Sequence, residues 1–89
     1  MIWDRKEPGK YEGFDTSRID PQVVATIEKV IFERPGRGNA LFSTVFEVAW
    51  KWYLLDENGD TVEFGDEPTL KQAKLEAETA YRAAEELLQ

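Results

Sequence analysis

The run of residues 41–55 most constrains the fold, because its apolar side chains recur at every second position. Its even-numbered residues form a nearly unbroken apolar row: Phe42, Thr44, Phe46, Val48, Trp50, Trp52 and Leu54. Its odd-numbered residues are mixed: Leu41, Ser43, Val45, Glu47, Ala49, Lys51 and Tyr53. One apolar face and one mixed face are typical of a β-strand buried on one side. Since strands usually have about 5–6 residues, we expect a bend or bulge between Val48 and Trp50.

The segments on either side of this run are predicted to pair with it. Residues 23–31 carry apolar side chains at helical spacing, but six of these nine residues are β-branched, which favours a strand; a helix is the open alternative. The first half of the central strand is expected to pair with residues 24–33. Asn58-Gly59 predicts a tight hairpin turn, followed by a short third strand from Thr61 to Phe64 that Gly65 ends.

The C-terminal segment has the pattern of an amphipathic helix. Thr69 followed by Gln72 is a capping-box pattern. The apolar stripe at helical spacing comprises Leu70, Ala73, Ala77, Ala80, Tyr81, Ala84, Leu87 and Leu88. The alanines at its middle would let the helix lie close to the bulky row of the central strand. The predicted fold is α+β, a three-stranded antiparallel sheet packed by one C-terminal helix (βββα).

Residues 1–20 follow neither period and are interpreted as an N-terminal arm, with residues 21–89 as a single βββα domain. The arm holds three isolated aromatic residues, Trp3, Tyr11 and Phe14. Two roles stay open for them. They pack on the chain's own sheet, whose odd face needs a cover, or they anchor a partner, as aromatic residues often do at interfaces. A second copy of the chain is the other candidate cover, which would give a homodimer through the open sheet face.

Several chemistries are excluded or disfavoured by composition. The chain of 89 residues has no cysteine and no histidine, which removes disulfides, thiolate metal sites and the commonest general base. We therefore expect no enzyme activity, no cofactor and no metal. No apolar run is long enough to span a bilayer and the N-terminus lacks a signal-peptide core, so a cytoplasmic protein without membrane contact is expected.

The net charge of −7 is concentrated in the second half, where residues 51–89 hold four basic and ten acidic side chains. Six carboxylates fall within twelve residues, and they are Asp56, Glu57, Asp60, Glu63, Asp66 and Glu67. Their spacing partly imitates a calcium loop, but Thr61 stands where that loop needs glycine, so a solvated hairpin is favoured. Such a field disfavours direct binding to nucleic acid and attracts basic partners. The loop of residues 34–38 contains two arginines and matches no phosphate-binding motif.

The C-terminal half, from FEVAWKWYLLDENGD to the last helix, resembles the strand–turn–strand–helix pattern of small uncharacterised bacteriophage proteins. In element order it also resembles the βββα domains of the plant AP2 and integrase N-terminal type, which bind DNA through basic residues on the sheet. Here the hairpin is acidic and Lys51 is the one basic residue of the central strand, so DNA binding is not carried over.

The sequence therefore predicts a small acidic protein-binding module, a phage-type accessory factor that binds a host protein of basic character. The alternative is a DNA-mimic inhibitor of a nucleic-acid-binding enzyme. The predicted partner-binding residues are the six carboxylates of the acidic run with Trp3, Tyr11 and Phe14.

Overall fold

The computed structural model describes residues 1–16, 22–35 and 44–87, without the side chains of 33–35, 44, 45 and 87. The elements are β1 (Ile2–Glu7), β2 (Lys10–Phe14), β3 (Val23–Pro35), β4 (Thr44–Leu55), β5 (Thr61–Glu67) and α1 (Leu70–Leu87). The strands form one antiparallel sheet in the order β1-β2-β3-β4-β5. Each strand thus pairs with its sequence neighbour.

The prediction of a three-stranded sheet is wrong, because the residues expected to form an N-terminal arm provide two further strands. Strands β1 and β2 turn at Gly9, whose φ of +83° suits glycine, and β2 pairs along β3. The period of two was hidden because these strands are short. In addition, Gly13 occupies a helix-facing position where an apolar residue would have marked the alternation; the ring of Trp3 from β1 covers it.

The prediction of a strand over residues 23–31 is confirmed, and β3 pairs with β4 without interruption from Ala25–Leu54 to Pro35–Thr44. The uninterrupted register excludes the bulge that was the expected alternative to a bend near Val48 to Trp50. The register shift of β4 lies instead at Leu54 and Leu55, in its pairing with β5. The alternating row fits the pleat throughout this long pairing, and the irregularity falls next to the turn.

The predicted Asn58-Gly59 turn is confirmed. Gly59 has φ +85° and its N–H donates to the Asp56 carbonyl at 3.0 Å. Strand β5 does not end at Gly65 but continues to Glu67. Glycine is tolerated inside this strand because the indole of Trp52 packs flat on its backbone, where a Cβ would lie 2.7 Å from Nε1.

Helix α1 begins as predicted, since the Thr69 hydroxyl accepts the Gln72 backbone N–H at 3.1 Å. Four of its alanines, Ala73, Ala77, Ala80 and Ala84, pack in or against the core. The buried core consists of Ala25, Ile27, Trp52, Leu54, Ala73 and Ala77. The helix therefore covers the even-numbered row of β4, but only its second half. In the described part of the chain, no helix is long and apolar enough to cross a membrane.

Candidate protein-binding surfaces

The first half of the apolar row of β4 lies outside the core, on a projecting two-stranded ribbon. Strand β2 last pairs with β3 at Glu28, and β5 last pairs with β4 at Trp50. Beyond these pairs, among the strands that the structure describes, β3 and β4 pair only with each other. We call this ribbon, residues 30–35 and 44–49, the β-arm. It gives the molecule an elongated form, with extents of 57 × 27 × 22 Å.

The β-arm exposes large apolar side chains. Ile31 is 60% exposed and pairs with Val48, which is 42% exposed. Phe46, at 63% exposure, lies two residues along β4 on the same face. We call these three residues the apolar strip. It continues the row that begins in the core with Trp52 and Trp50, so the same sequence pattern forms a core at one end and an exposed surface at the other.

The opposite face of the arm exposes one large apolar side chain among those described. Phe32 is 43% exposed there and pairs with Glu47. On the face of the apolar strip, at the base of the arm, Lys29 Nζ lies 5.8 Å from the centre of the Trp50 ring, which is within the range of a cation–π contact. The two-arginine loop of residues 34–38, noted in the sequence, falls largely outside the described residues.

A second surface is a groove at the C-terminal end of α1. It has a volume of about 520 Å³. Apolar side chains form most of its lining, and they are Val24, Leu54, Leu55, Val62 and Ala84. Three carboxylates also line it, Asp56 and Glu57 from the β4–β5 turn and Glu85 from the helix. We call this the acid-rimmed groove.

Tyr81 also lines this groove and connects the helix to the end of β2. Its hydroxyl donates a hydrogen bond to Asp15 Oδ2, and Asp15 is 8% exposed. Burial, followed by the hydrogen bond to Asp15 and the nearby carboxylate of Glu85, raises the pKa of Tyr81 well above its ordinary value. The hydroxyl therefore stays protonated and acts as a structural donor, which is the opposite of what a tyrosine nucleophile or base requires.

The acidic run does not form one surface. Asp56 Oδ1 accepts the backbone N–H groups of Asn58 and Asp60, both at 2.9 Å, so this carboxylate stabilises the turn. Glu57 and Asp60 are exposed in the same turn. Pairing with β4 then separates the β5 carboxylates, which are Glu63, Asp66 and Glu67. Glu63 and Glu67 lie on the helix side, opposite Leu54 and Trp50, and Asp66 lies on the other face, opposite Lys51.

The predicted aromatic residues are also divided between the two faces. Trp3 and Tyr11 pack partly buried against the core under α1, and Trp3 Nε1 donates to Glu78 Oε1 at 2.8 Å. Phe14 lies on the opposite face, beneath Lys6, whose Nζ is 5.9 Å from the ring centre. Trp3 and Tyr11 thus contribute to the chain's own core by extending the sheet; they do not cover its open face.

The open face carries a row of alternating charge across all five strands. Paired positions place Glu7, Lys10, Glu28, Lys51 and Asp66 side by side, and we call this row the charge ladder. Lys10 Nζ lies 3.1 Å from Glu7, and Lys51 Nζ lies 3.9 Å from Asp66. Hydrogen bonding to Glu7, with the charge of Glu28, raises the pKa of Lys10. Charged pairs, not a covering segment, therefore occupy much of this face among the described residues.

The described carboxylates do not form a metal site, since no three of them are grouped closely enough to hold an ion. Sequence reasoning missed both the β-arm and the groove. The signal for the arm was the length of the apolar row of β4. One helix packed over the second half of this row leaves the first half uncovered. The signal for the groove was weaker, because its lining comes from three separate segments.

Comparison of the chain with family models, curated proteins and solved structures finds no match.

Proposed function

We propose that the chain is a non-enzymatic protein-binding module and that the β-arm is its contact surface. The observation that carries the proposal is the apolar strip, exposed on a ribbon that neither the helix nor any other described strand covers. The largest apolar patch on a monomeric protein, typically about 300–600 Å², is often a functional surface. A projecting ribbon also presents its side chains where a second protein can reach them.

The size of the strip indicates a modest affinity. With exposures of 60%, 42% and 63% for Ile31, Val48 and Phe46, its apolar area is on the order of 300 Å². Burying it is worth roughly 7 kcal/mol, which is comparable with the cost of association, about 4–15 kcal/mol. The strip alone would therefore give weak binding, and a stable complex requires further polar contacts around it.

The predictions about the partner rest on the sequence alone. A host protein of basic character, the phage setting and the cytoplasm stay predictions that rest on the acidic composition and on the resemblance of the C-terminal half. DNA mimicry has no specific observation in its favour, because the carboxylates of the acidic run lie in a turn and on two opposite faces of the sheet.

The test compares capture from a bacterial lysate by three proteins, identified by mass spectrometry after nuclease treatment and washing at low and high salt. The arm variant combines Ile31→Thr with Phe46→Thr, which keeps strand-forming residues but reduces apolar area. The matched control is Phe64→Thr, since Phe64 is 72% exposed on β5, away from the arm.

The proposal expects a protein that the parent chain and the control retain at high salt and that the arm variant loses. Thermal unfolding should be nearly the same for all three proteins, because the replaced side chains are exposed. Capture of the same proteins by the arm variant as by the parent chain would refute the role of the arm.

A further inference from the structure

We propose that the acid-rimmed groove is a second binding site, which receives an apolar side chain of a partner polypeptide flanked by lysine or arginine. This goes beyond the function of the β-arm and does not depend on it. The groove is built from the end of α1, the β4–β5 turn and the start of β3, and none of its lining residues belongs to the arm.

The apolar part of the groove is large enough for a ligand. Val24 and Leu54, 5% and 2% exposed, are part of the folded body, whereas Val62 on the same groove is 58% exposed. The volume of about 520 Å³ lies within the range of about 300–1,000 Å³ that is typical of ligand pockets. An apolar side chain placed here would cover Val62 and extend the packing of Leu54.

The charge around the groove favours basic residues next to that side chain in the partner. Its lining includes three carboxylates and, among the described residues, no lysine or arginine. The last turn of α1 also has no basic residue, so the partial negative charge of the helix C-terminus is not offset there. An acidic or neutral partner would gain nothing from this field, whereas a cationic one is attracted.

The positions of the carboxylates favour a polypeptide. Asp56 and Glu57 lie on the turn, and Glu85 lies on the helix, so acidic groups come from two different sides of the apolar lining. The Asp56 carboxylate is already oriented by its two backbone donors at 2.9 Å, which lowers the entropic cost of accepting a cation. A segment with basic residues on both sides of an apolar one matches this arrangement.

The test uses two fluorescein-labelled peptides of equal length and charge, one alternating lysine with leucine and one alternating lysine with serine. Binding is measured by fluorescence polarisation, and amide chemical shifts of the labelled protein locate the contact. We expect the lysine–leucine peptide to bind about tenfold more tightly, with shifts at Leu55 and Val62. Equal affinities, or shifts that avoid these residues, would overturn the proposal.

Two neighbouring glutamates provide a matched pair of variants. Glu85 lines the groove and Glu86 does not, and both are exposed on the same helix. Glu85→Gln should weaken the lysine–leucine peptide about two- to fivefold, as expected for one exposed ion pair, with a smaller effect of Glu86→Gln. Equal effects of the two changes would show that only net charge matters and would overturn the site.

A third variant separates this inference from the function of the β-arm. The combined change Ile31→Thr and Phe46→Thr should leave peptide affinity unchanged while it abolishes capture through the arm. If this variant loses peptide binding, the peptide contacts the arm and the groove proposal is wrong. If the groove variants lose peptide binding and the arm variant does not, the two surfaces act independently.

Discussion

Replacing Gly65 with alanine tests how closely the Trp52 indole packs on β5. An added Cβ would lie 2.7, 2.8 and 2.9 Å from three atoms of the ring. Ordinary contacts begin near 3.4 Å, so the ring would have to withdraw by about 0.7 Å (3.4 minus 2.7). It has little room to do so, because Trp52 is 5% exposed and Ala73 and Ala77 of the helix are fully buried in the same cluster.

The expected loss of stability follows from two opposing effects. Overpacking of this kind costs about 1–3 kcal/mol, and the Gly→Ala change returns about 0.4–1 kcal/mol by restricting the unfolded chain. We therefore expect Gly65→Ala to lower the free energy of unfolding by about 1–2 kcal/mol. The measurement is urea unfolding followed by tryptophan fluorescence, with near-ultraviolet circular dichroism to report the displaced ring.

Two further variants test whether the loss in Gly65→Ala comes from the contact with Trp52. Gly59→Ala costs about 1–2 kcal/mol through its left-handed backbone, but nothing lies within 4 Å of its Cβ, so the tryptophan spectrum should not change. In a Trp52→Phe background, Gly65→Ala should cost less, because the smaller ring relieves the contact. Strictly additive losses in this double-mutant cycle would refute the reasoning.

Three further predictions concern single contacts. Trp3→Phe, which removes the 2.8 Å hydrogen bond to Glu78, should cost about 1–2 kcal/mol in urea unfolding; an unchanged free energy of unfolding would contradict this. Because the folded-state pKa of Tyr81 is raised, its contribution is fully present below the unfolded pKa of about 10 and is lost as pH rises towards the folded value. Parent and Tyr81→Phe stabilities should therefore approach each other as pH rises above about 10; parallel curves there would count against it. Thr69→Ala removes the cap bond of 3.1 Å to the first turn of α1 and should lower the midpoint of thermal unfolding, for a loss of about 1 kcal/mol; an unchanged midpoint would show that the cap contributes nothing.

The parts of the fold that the sequence predicted are those in which every local preference agrees. Strand β4 alternates without interruption, Asn58-Gly59 suits only a tight turn, and Thr69 precedes an apolar stripe at helical spacing. These features place the sheet face, the hairpin and the helix correctly. The choice of strand for residues 23–31 was also right, because β-branched residues outweighed an accidental helical spacing.

The first hairpin and the candidate surfaces could not be predicted from local sequence preferences. In β2 the helix-facing position is Gly13, and its cover is Trp3 of the neighbouring strand, so the apolar pattern is shared between two strands and visible in neither. Which part of the sheet α1 covers likewise depends on tertiary packing and not on local sequence. Phe46 and Trp52 belong to one row in the sequence, and only packing decides that Phe46 is exposed and Trp52 buried.

The charge ladder has a consequence for how the chain reaches its native pairing during refolding. A two-residue slip keeps every side chain on its proper face, so hydrophobic burial alone discriminates poorly against it. A slip between β3 and β4 would set Glu28 against Ala49 or Tyr53 in place of Lys51. Each cross-strand pair of opposite charge is worth only about 0.2–1 kcal/mol, yet the same row penalises slips in all four hairpins. Because a slipped pairing loses these charge pairs, the charge ladder makes misregistered chains less stable and shorter-lived than they would be on an uncharged sheet.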